Sequence, residues 1–172
     1  MIERDLTSKE EMVFIRASGA AQQFGIDTWN LHWERLHENP LESFRWFHVI
    51  RRTNQERIDP VMDLAVRTLP LEQIATGPSN EMIYGEKFQL FQSVEQIVQE
   101  LHRFPGKGAP LIFASLKSPS TRGRNLAIKA LREWGVEHWP EGTKQALEEA
   151  LALEPNDDVK ERIEQLLEKT RE

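Results

Sequence analysis

Residues 108–135 read GAPLIFASLKSPSTRGRNLAIKALREWG, and this stretch predicts two helices joined by a tight turn. Leu111 and Ser115 fall on one face of the first helix, because residues four apart lie on the same side. The sequence Ser-Pro-Ser at 118–120 interrupts the helical periodicity. After the interruption the period returns over Ala127, Ala130, Leu131 and Trp134. The pattern predicts a helix-turn-helix unit with small residues on its inner face.

The same unit recurs near the C-terminus, which is the behaviour of a repeat protein. Aligning Pro155 with Pro119, an offset of 36 residues, places Asn156 opposite Ser120. The apolar positions of the second helix also align, with Ile163 opposite Ala127 and the Leu-Leu pair at 166–167 opposite Ala130-Leu131. Two poorer matches to a first helix begin at Pro40 and Pro60.

This unit resembles a HEAT repeat of bacterial type. A proline-marked first helix, a short turn, an arginine early in the second helix, spaced alanines and the closing Gly135 carry the resemblance. It covers residues 108–169 well and residues 40–104 loosely. The resemblance implies an all-α fold, namely an α-α superhelix that forms a right-handed solenoid of HEAT-like helix-turn-helix repeats.

Length and composition favour one helical-repeat domain spanning residues 1–172. A chain of 172 residues fits a single domain, and its 39% apolar residues can supply a continuous core. There is no cysteine, no signal-peptide pattern and no apolar stretch of membrane-spanning length. We therefore expect a cytoplasmic protein with no membrane partner and no thiol chemistry.

The remaining sequence reads as further helices, since strand and hairpin signals are absent. Two capping-box spacings, from Thr7 and Ser8, predict a helix that begins there and runs to Phe24. Asn39 before Pro40 should end the next helix, which Asp27 or Thr28 caps. Further helices are predicted at 40–52, at 58–69, at 81–104 with an interruption near Gly85, and at 157–169, and loops at 76–80 and 105–108.

Charge is distributed unevenly along the chain, whose net charge is -6. Residues 101–132 contain no acidic residue, whereas residues 133–172 contain twelve acidic and five basic ones. The basic residues of the first segment, here called the basic band, are Arg103, Lys107, Lys117, Arg122, Arg124, Lys129 and Arg132. The basic band could bind a phosphorylated ligand, a nucleic-acid backbone or an acidic protein. Alternatively, it could complement neighbouring acidic layers.

The start of the second helix offers specific candidates for an anion site. Arg122 and Arg124 lie there, and Ser118, Ser120 and Thr121 could donate hydrogen bonds to the same anion. In HEAT repeats an acidic residue commonly closes the first helix and neutralises the arginine of the second. Here that position is Ser118, whereas the C-terminal unit keeps a pair as Glu154 and Lys160. Either an adjacent repeat supplies a carboxylate to Arg124, or Arg124 is free to meet a ligand.

Catalytic and metal-binding patterns are weak. Glu34 and His37 form a single Glu-x-x-His spacing, which di-iron bundles use twice. No phosphate loop, HExxH or nucleophile elbow is present. We therefore assign no catalytic residue, metal or cofactor. The five tryptophans, which could form an aromatic cage, are predicted to lie in the core instead; they are Trp29, Trp33, Trp46, Trp134 and Trp139.

Three classes of function remain. The first is a non-catalytic binding or scaffold module that presents a helical-repeat surface to a protein, peptide or other anionic partner. The second is a nucleic-acid-binding enzyme similar to the HEAT-like alkylpurine DNA glycosylases, although no glycosylase motif matches residue by residue. The third, a bilin lyase-like role, rests on analogy of fold alone. The binding module is our leading prediction.

Overall fold

A computed structural model describes residues 2–80 and 85–171, and all regular structure in these two ranges is helical. The all-α prediction is therefore confirmed. No helix within them combines the length and the apolar character that a membrane crossing requires. The helices are α1 Ile2–Leu6, α2 Glu11–Gln23, α3 Trp29–Glu38, α4 Ser43–Arg52, α5 Ile58–Thr68, α6 Leu71–Ile74, α7 Glu86–Glu100, α8 Ala109–Leu116, α9 Thr121–Trp134, α10 Thr143–Leu153 and α11 Asp157–Glu168. Short 3₁₀ turns follow α7 and α9.

The chain divides into two compact units, Met1–Asn39 and Pro40–Glu172. In the first unit α1 packs on α2, and a buried polar cluster joins α2 to α3. Ser18 Oγ lies 2.9 Å from Thr28 Oγ1 and 2.6 Å from His32 Nε2. The guanidinium of Arg35 stacks 3.7 Å from the ring centre of Phe14. These contacts satisfy the polar groups that the α2–α3 packing removes from water.

The second unit is built from two rows of helices. One row runs α4, α7, α9, α11, and the other contains α6, α8 and α10, each helix contacting the next in its row. The hairpins α8–α9 and α10–α11 connect the two rows. Their facing sides are apolar and fully buried, as at Ile97, Leu111, Leu131, Leu147 and Ile163. This packing creates the core of the second unit.

The two C-terminal hairpins are capped in the same way. Ser120 accepts a hydrogen bond from the Gly123 N–H at the start of α9, and Asn156 accepts one from the Val159 N–H at the start of α11. In both cases a proline precedes the capping residue. The positions aligned by sequence therefore have the same structural role, since short polar side chains at this position satisfy an otherwise free N–H group.

Several predicted boundaries are confirmed. Asn39 ends α3 and Gly135 ends α9. The loops at 76–80 and 105–108 lack helix, and the final helix buries its predicted apolar residues. Gly85, with φ of 74°, precedes α7, which ends in a 3₁₀ turn before Phe104. The predicted start of that helix at 81–84 lies outside the described residues.

Two predicted helix starts are wrong. The capping boxes of Thr7 and Ser8 do not form, because Thr7 belongs to the turn after α1, where its hydroxyl donates to the Arg4 carbonyl at 2.8 Å. The helix begins instead at Glu11. Pro40 does not open α4, which begins at Ser43; the Pro40 carbonyl accepts a hydrogen bond from Trp46 Nε1 instead.

Candidate binding groove

The basic band does not form an uncompensated positive surface. Six of its seven members each have a carboxylate within 4 Å, and all six carboxylates lie outside the segment 101–132, which contains no acidic residue. The pairs are Arg103–Glu100 at 3.0 Å, Lys107–Asp59 at 2.7 Å, Lys117–Glu149 at 2.9 Å, Arg122–Glu95 at 3.4 Å, Arg124–Glu154 at 2.6 Å and Arg132–Glu133 at 3.7 Å. The exposed Lys129 forms no ion pair with any described residue. The band therefore resembles the second alternative, in which neighbouring acidic elements complement it.

Arg103 is a structural residue at the end of α4. Its guanidinium donates to the Thr53 carbonyl at 2.7 Å and to the Ile50 carbonyl at 3.4 Å. Carbonyl groups at the C-terminal end of a helix lack partners within the helix and carry its negative partial charge. Arg103 therefore caps α4 from the turn that follows α7, and most of its donors are committed to protein atoms.

Arg124 is buried, with 1% of its surface exposed, and is therefore not available to a ligand on the surface. Its Nη2 donates to Glu154 Oε1 at 2.8 Å, and its Nε lies 2.6 Å from Glu154 Oε2, close but poorly aligned for a hydrogen bond. The same guanidinium donates to the carbonyls of Ser118, Pro119 and Ser79. An adjacent hairpin thus supplies the carboxylate, as the first alternative predicted.

The sequence alignment assigned Glu154 the wrong partner. Glu154 pairs with Arg124 of the preceding hairpin, whereas Lys160 lies 3.2 Å from Asp157 in its own helix. Since Glu154 also accepts the Asn156 N–H at 3.0 Å, it shapes the turn between α10 and α11. The pair therefore ties α9 to that turn.

The three hydroxyl groups proposed for an anion site are used internally. Ser118 Oγ accepts the Ser120 N–H at 3.1 Å, and Thr121 Oγ1 accepts from Arg124 at 3.3 Å. Ser120 Oγ donates to the buried Glu95 carboxylate at 2.5 Å while it accepts the N-cap bond. A carboxylate at this point would repel an anion, so these contacts argue against an anion site at the start of α9.

The tryptophans are mainly core residues, as predicted. Trp29, Trp46 and Trp134 are buried, and the indole N–H of Trp134 donates to the Leu101 carbonyl at 2.7 Å. Trp33 is half-buried and stacks on Trp29 with ring centres 5.1 Å apart. Trp139 is half-buried as well, and its indole N–H donates to a carbonyl of α9. No open aromatic cage forms from these contacts.

Histidine and acidic residues do not converge on a metal site in the described part of the chain. His32 belongs to the buried polar cluster of the first unit. His37 contacts the Trp33 carbonyl through Nδ1 at 2.9 Å and lies edge-on to the Trp33 ring. Burial, reinforced by Arg52 and Arg51, lowers the pKa of His48 to about 4. Its imidazole is therefore neutral near pH 7.

An apolar groove lies where the loop after α6 meets α8 and α10. Its volume is about 530 Å³, within the range of ligand-binding clefts. The loop is fixed to α8 by the Gly77 N–H, which donates to the Lys117 carbonyl at 2.8 Å. The apolar lining consists of Ala75, Pro78, Ala150, Ala152 and Leu153.

The rim of this groove combines an exposed leucine with an ion pair. Leu153, the last residue of α10, is 66% exposed. Lys117 and Glu149 also line the groove, and their 2.9 Å contact joins α8 to α10. Hydrogen bonds from Lys117 and Gln145 lower the pKa of Glu149, which keeps this carboxylate ionised. The groove therefore offers an apolar surface bordered by charge. Sequence reasoning missed it, because its walls come from three segments of the chain that are more than 30 residues apart.

A second cleft of about 540 Å³ lies between α5 and the start of α8. It is lined by Met62, Val66, Pro110 and the charged Asp63 and Arg67. Its lining is more polar than that of the first groove, and the Arg67 guanidinium already donates to the Asp63 carbonyl. The α6–α8–α10 groove is therefore the better candidate for an apolar ligand.

No protein-family model matches the chain, and neither a curated protein nor a solved structure matches it. The likeness to HEAT repeats accordingly stays a prediction from the residues of this chain.

Proposed function

We propose that the chain is a non-catalytic binding module whose α6–α8–α10 groove receives a peptide segment of a partner protein. The observation that carries this proposal is the apolar groove of about 530 Å³ with Leu153 exposed at its rim. Helical grooves with apolar floors are common receptors for short peptide segments, which insert apolar side chains as anchors. Burial of such an anchor and of Leu153 supplies the driving force for binding.

The fold assigned to this module is an α-α solenoid of HEAT-like repeats. Three observations support it: the two rows of helices, the hairpins that connect them, and the equivalent caps of α9 and α11 at Ser120 and Asn156. Stacked helix pairs of this kind expose extended surfaces to partners. The cytoplasm is the proposed location, as the cysteine-free sequence suggests.

The glycosylase-like alternative gains no support from the geometry. Proteins that bind DNA by its phosphates need arginine and lysine side chains that are free to replace counterions. In the basic band Arg124 is buried and Arg103 caps a helix, while Lys107, Lys117 and Arg122 already contact carboxylates. These contacts favour the binding module over the nucleic-acid-binding enzyme.

The proposal is tested by selecting peptides from a random library displayed on phage and measuring their affinity for two variants. Leu153→Lys places a charge at the groove, and Leu41→Lys makes the same change at an exposed leucine before α4. Losing the burial of one leucine side chain costs about 1.5–3 kcal/mol, or roughly a tenfold to hundredfold loss of affinity.

We expect this loss for Leu153→Lys and none for Leu41→Lys. Both variants should keep the wild-type circular dichroism spectrum and melting temperature, since both leucines are largely exposed. Selected peptides that bind all three proteins with equal affinity would show that the groove is not the receptor.

A further inference from the structure

The surface around the groove carries an excess of negative charge. The groove wall α10 contains two glutamates and one lysine, and α11, which packs on it, contains five acidic and two basic residues. On these helices Glu148, Asp158 and Glu164 are exposed. The first residue of α11, Asp157, lies four positions after Leu153 in the chain, and its side chain is 95% exposed. The hairpin that supplies one wall of the groove is thus acidic overall.

The nearby cations do not cancel this charge. Among the described residues that line the groove, the basic one is Lys117, and it contacts Glu149. On α11, Lys160 contacts Asp157, and Arg162 donates to Asn125 of α9. Two members of the basic band, Lys117 and Arg124, pair with Glu149 and Glu154 of this hairpin. Residues 143–168 nevertheless contain eight acidic residues against three basic ones, so the hairpin stays negatively charged after these two pairs are counted.

We infer that the occupant of the groove is a basic segment of a partner protein, in which an apolar anchor residue is flanked by lysine or arginine. This inference rests on the proposed function and specifies the chemistry of the partner. The anchor contacts Leu153 and the alanines of the groove, while the negative charge of the α10–α11 hairpin attracts the flanking cations. Complementary charge of this kind speeds association and excludes partners of the wrong sign.

The inferred partner has the opposite sign to the anionic partner that the basic band suggested. The basic band predicted an anionic partner, but its cations meet carboxylates of other segments. The carboxylates of α11 are less compensated, and they lie on the helix adjacent to the groove wall. An acidic peptide would therefore meet repulsion at the groove.

The test uses three synthetic peptides of 14 residues with leucines at identical helical positions and with lysine, glutamine or glutamate at all other positions. Each carries a fluorophore, and its affinity is measured by fluorescence anisotropy at about 50 and 200 mM salt, a range over which exposed charges become screened. The proteins are the wild type, Glu148→Lys and Glu56→Lys. Glu148 lies on α10, and Glu56 is another exposed glutamate, in the loop before α5.

We expect the lysine peptide to bind most tightly and to lose affinity as salt rises. Glu148→Lys should weaken it by about two- to fivefold, the effect of one exposed charge pair, whereas Glu56→Lys should leave it unchanged. The glutamate peptide should bind most weakly of the three.

Two other outcomes are distinct. Equal binding of the lysine and glutamine peptides, with both sensitive to Leu153→Lys, would overturn the charge inference and leave the groove as a receptor. Binding that is insensitive to Leu153→Lys, or no binding by any peptide, would overturn the inference together with the proposed function.

Discussion

Replacing Arg124 with methionine should destabilise the second unit strongly. The substitution removes the charge that pairs with Glu154, whose side chain is completely buried. It also removes the donors to the carbonyls of Ser118, Pro119 and Ser79. Removing one partner of a buried ion pair costs about 3–5 kcal/mol, because an uncompensated charge remains in the interior. Total stability of a domain is only about 5–15 kcal/mol, so the loss is a large fraction of it.

A double-mutant cycle isolates the ion pair from the rest of this cost. Glu154→Leu alone leaves the guanidinium unpaired, and Arg124→Met with Glu154→Leu removes both charges. Replacing a whole buried pair with apolar groups is far less costly than breaking it. The double variant should therefore lose less stability than the sum of the two single losses. The double variant should still be less stable than the wild type, because it leaves without partners the carbonyls that accept from Arg124 and the Asn156 N–H that donates to Glu154.

Urea unfolding at 25 °C measures these free energies of unfolding. The slope of the free energy against urea concentration should be the same in all variants, which checks that each exposes the same surface on unfolding. Arg122→Met is the matched control, since Arg122 lies two residues away on the same helix and is exposed. The Arg122 side chain is 54% exposed, and its partner Glu95 keeps the hydrogen bond from Ser120, so Arg122→Met should cost less stability than Arg124→Met. A loss at Arg124 no larger than that at Arg122, or strictly additive single losses, would refute the assignment of this pair as a buried link between hairpins.

Two other perturbations test the structure. Gly108→Ala should destabilise the protein more than Gly142→Ala. Both glycines have positive φ, which costs an alanine roughly 1–2 kcal/mol, but a Cβ on Gly108 would also lie 2.8 Å from Met62 Sδ, whereas one on Gly142 meets open space. A larger fall in melting temperature for Gly142→Ala would contradict this prediction. His48 should reduce stability in acid. Burial and Arg52 lower the pKa of His48 in the folded protein from 6.5 to about 4. Between these pH values the unfolded chain binds a proton at His48 that the folded protein does not, so stability falls as pH decreases. His48→Gln should flatten thermal stability between pH 6.5 and 4, and an unchanged pH dependence would contradict the placement of this imidazole.

Local sequence signals predicted the C-terminal hairpins well. Helix periodicity and the turn residues Ser120 and Asn156 act within a few neighbours in the chain, so their outcome is encoded locally. At the start of α2 the local signals gave the wrong prediction. Two competing local structures were possible at Thr7, and the turn after α1 formed in place of the capping box.

The charge contacts could not be predicted from segments of the sequence. Lys107 meets Asp59, 48 residues earlier, and Lys117 meets Glu149, 32 residues later. A segment of positive charge along the chain is therefore not a positive surface, because adjacent helices in the fold come from distant segments. For Arg124 the sequence did indicate a missing partner, but the choice of Glu154 depended on how the hairpins stack.

Two ion pairs that join the hairpins α8–α9 and α10–α11 differ in burial, and this difference bears on binding. The Arg124–Glu154 pair is buried, whereas Lys117–Glu149 is exposed on the rim of the groove. Exposed pairs contribute little to stability, so the association of the hairpins does not depend on the rim pair. A cation from a bound segment could therefore replace Lys117 at Glu149 while the buried pair keeps α9 and the α10–α11 turn in place. The groove rim can adapt to a basic partner without loosening the fold that forms it.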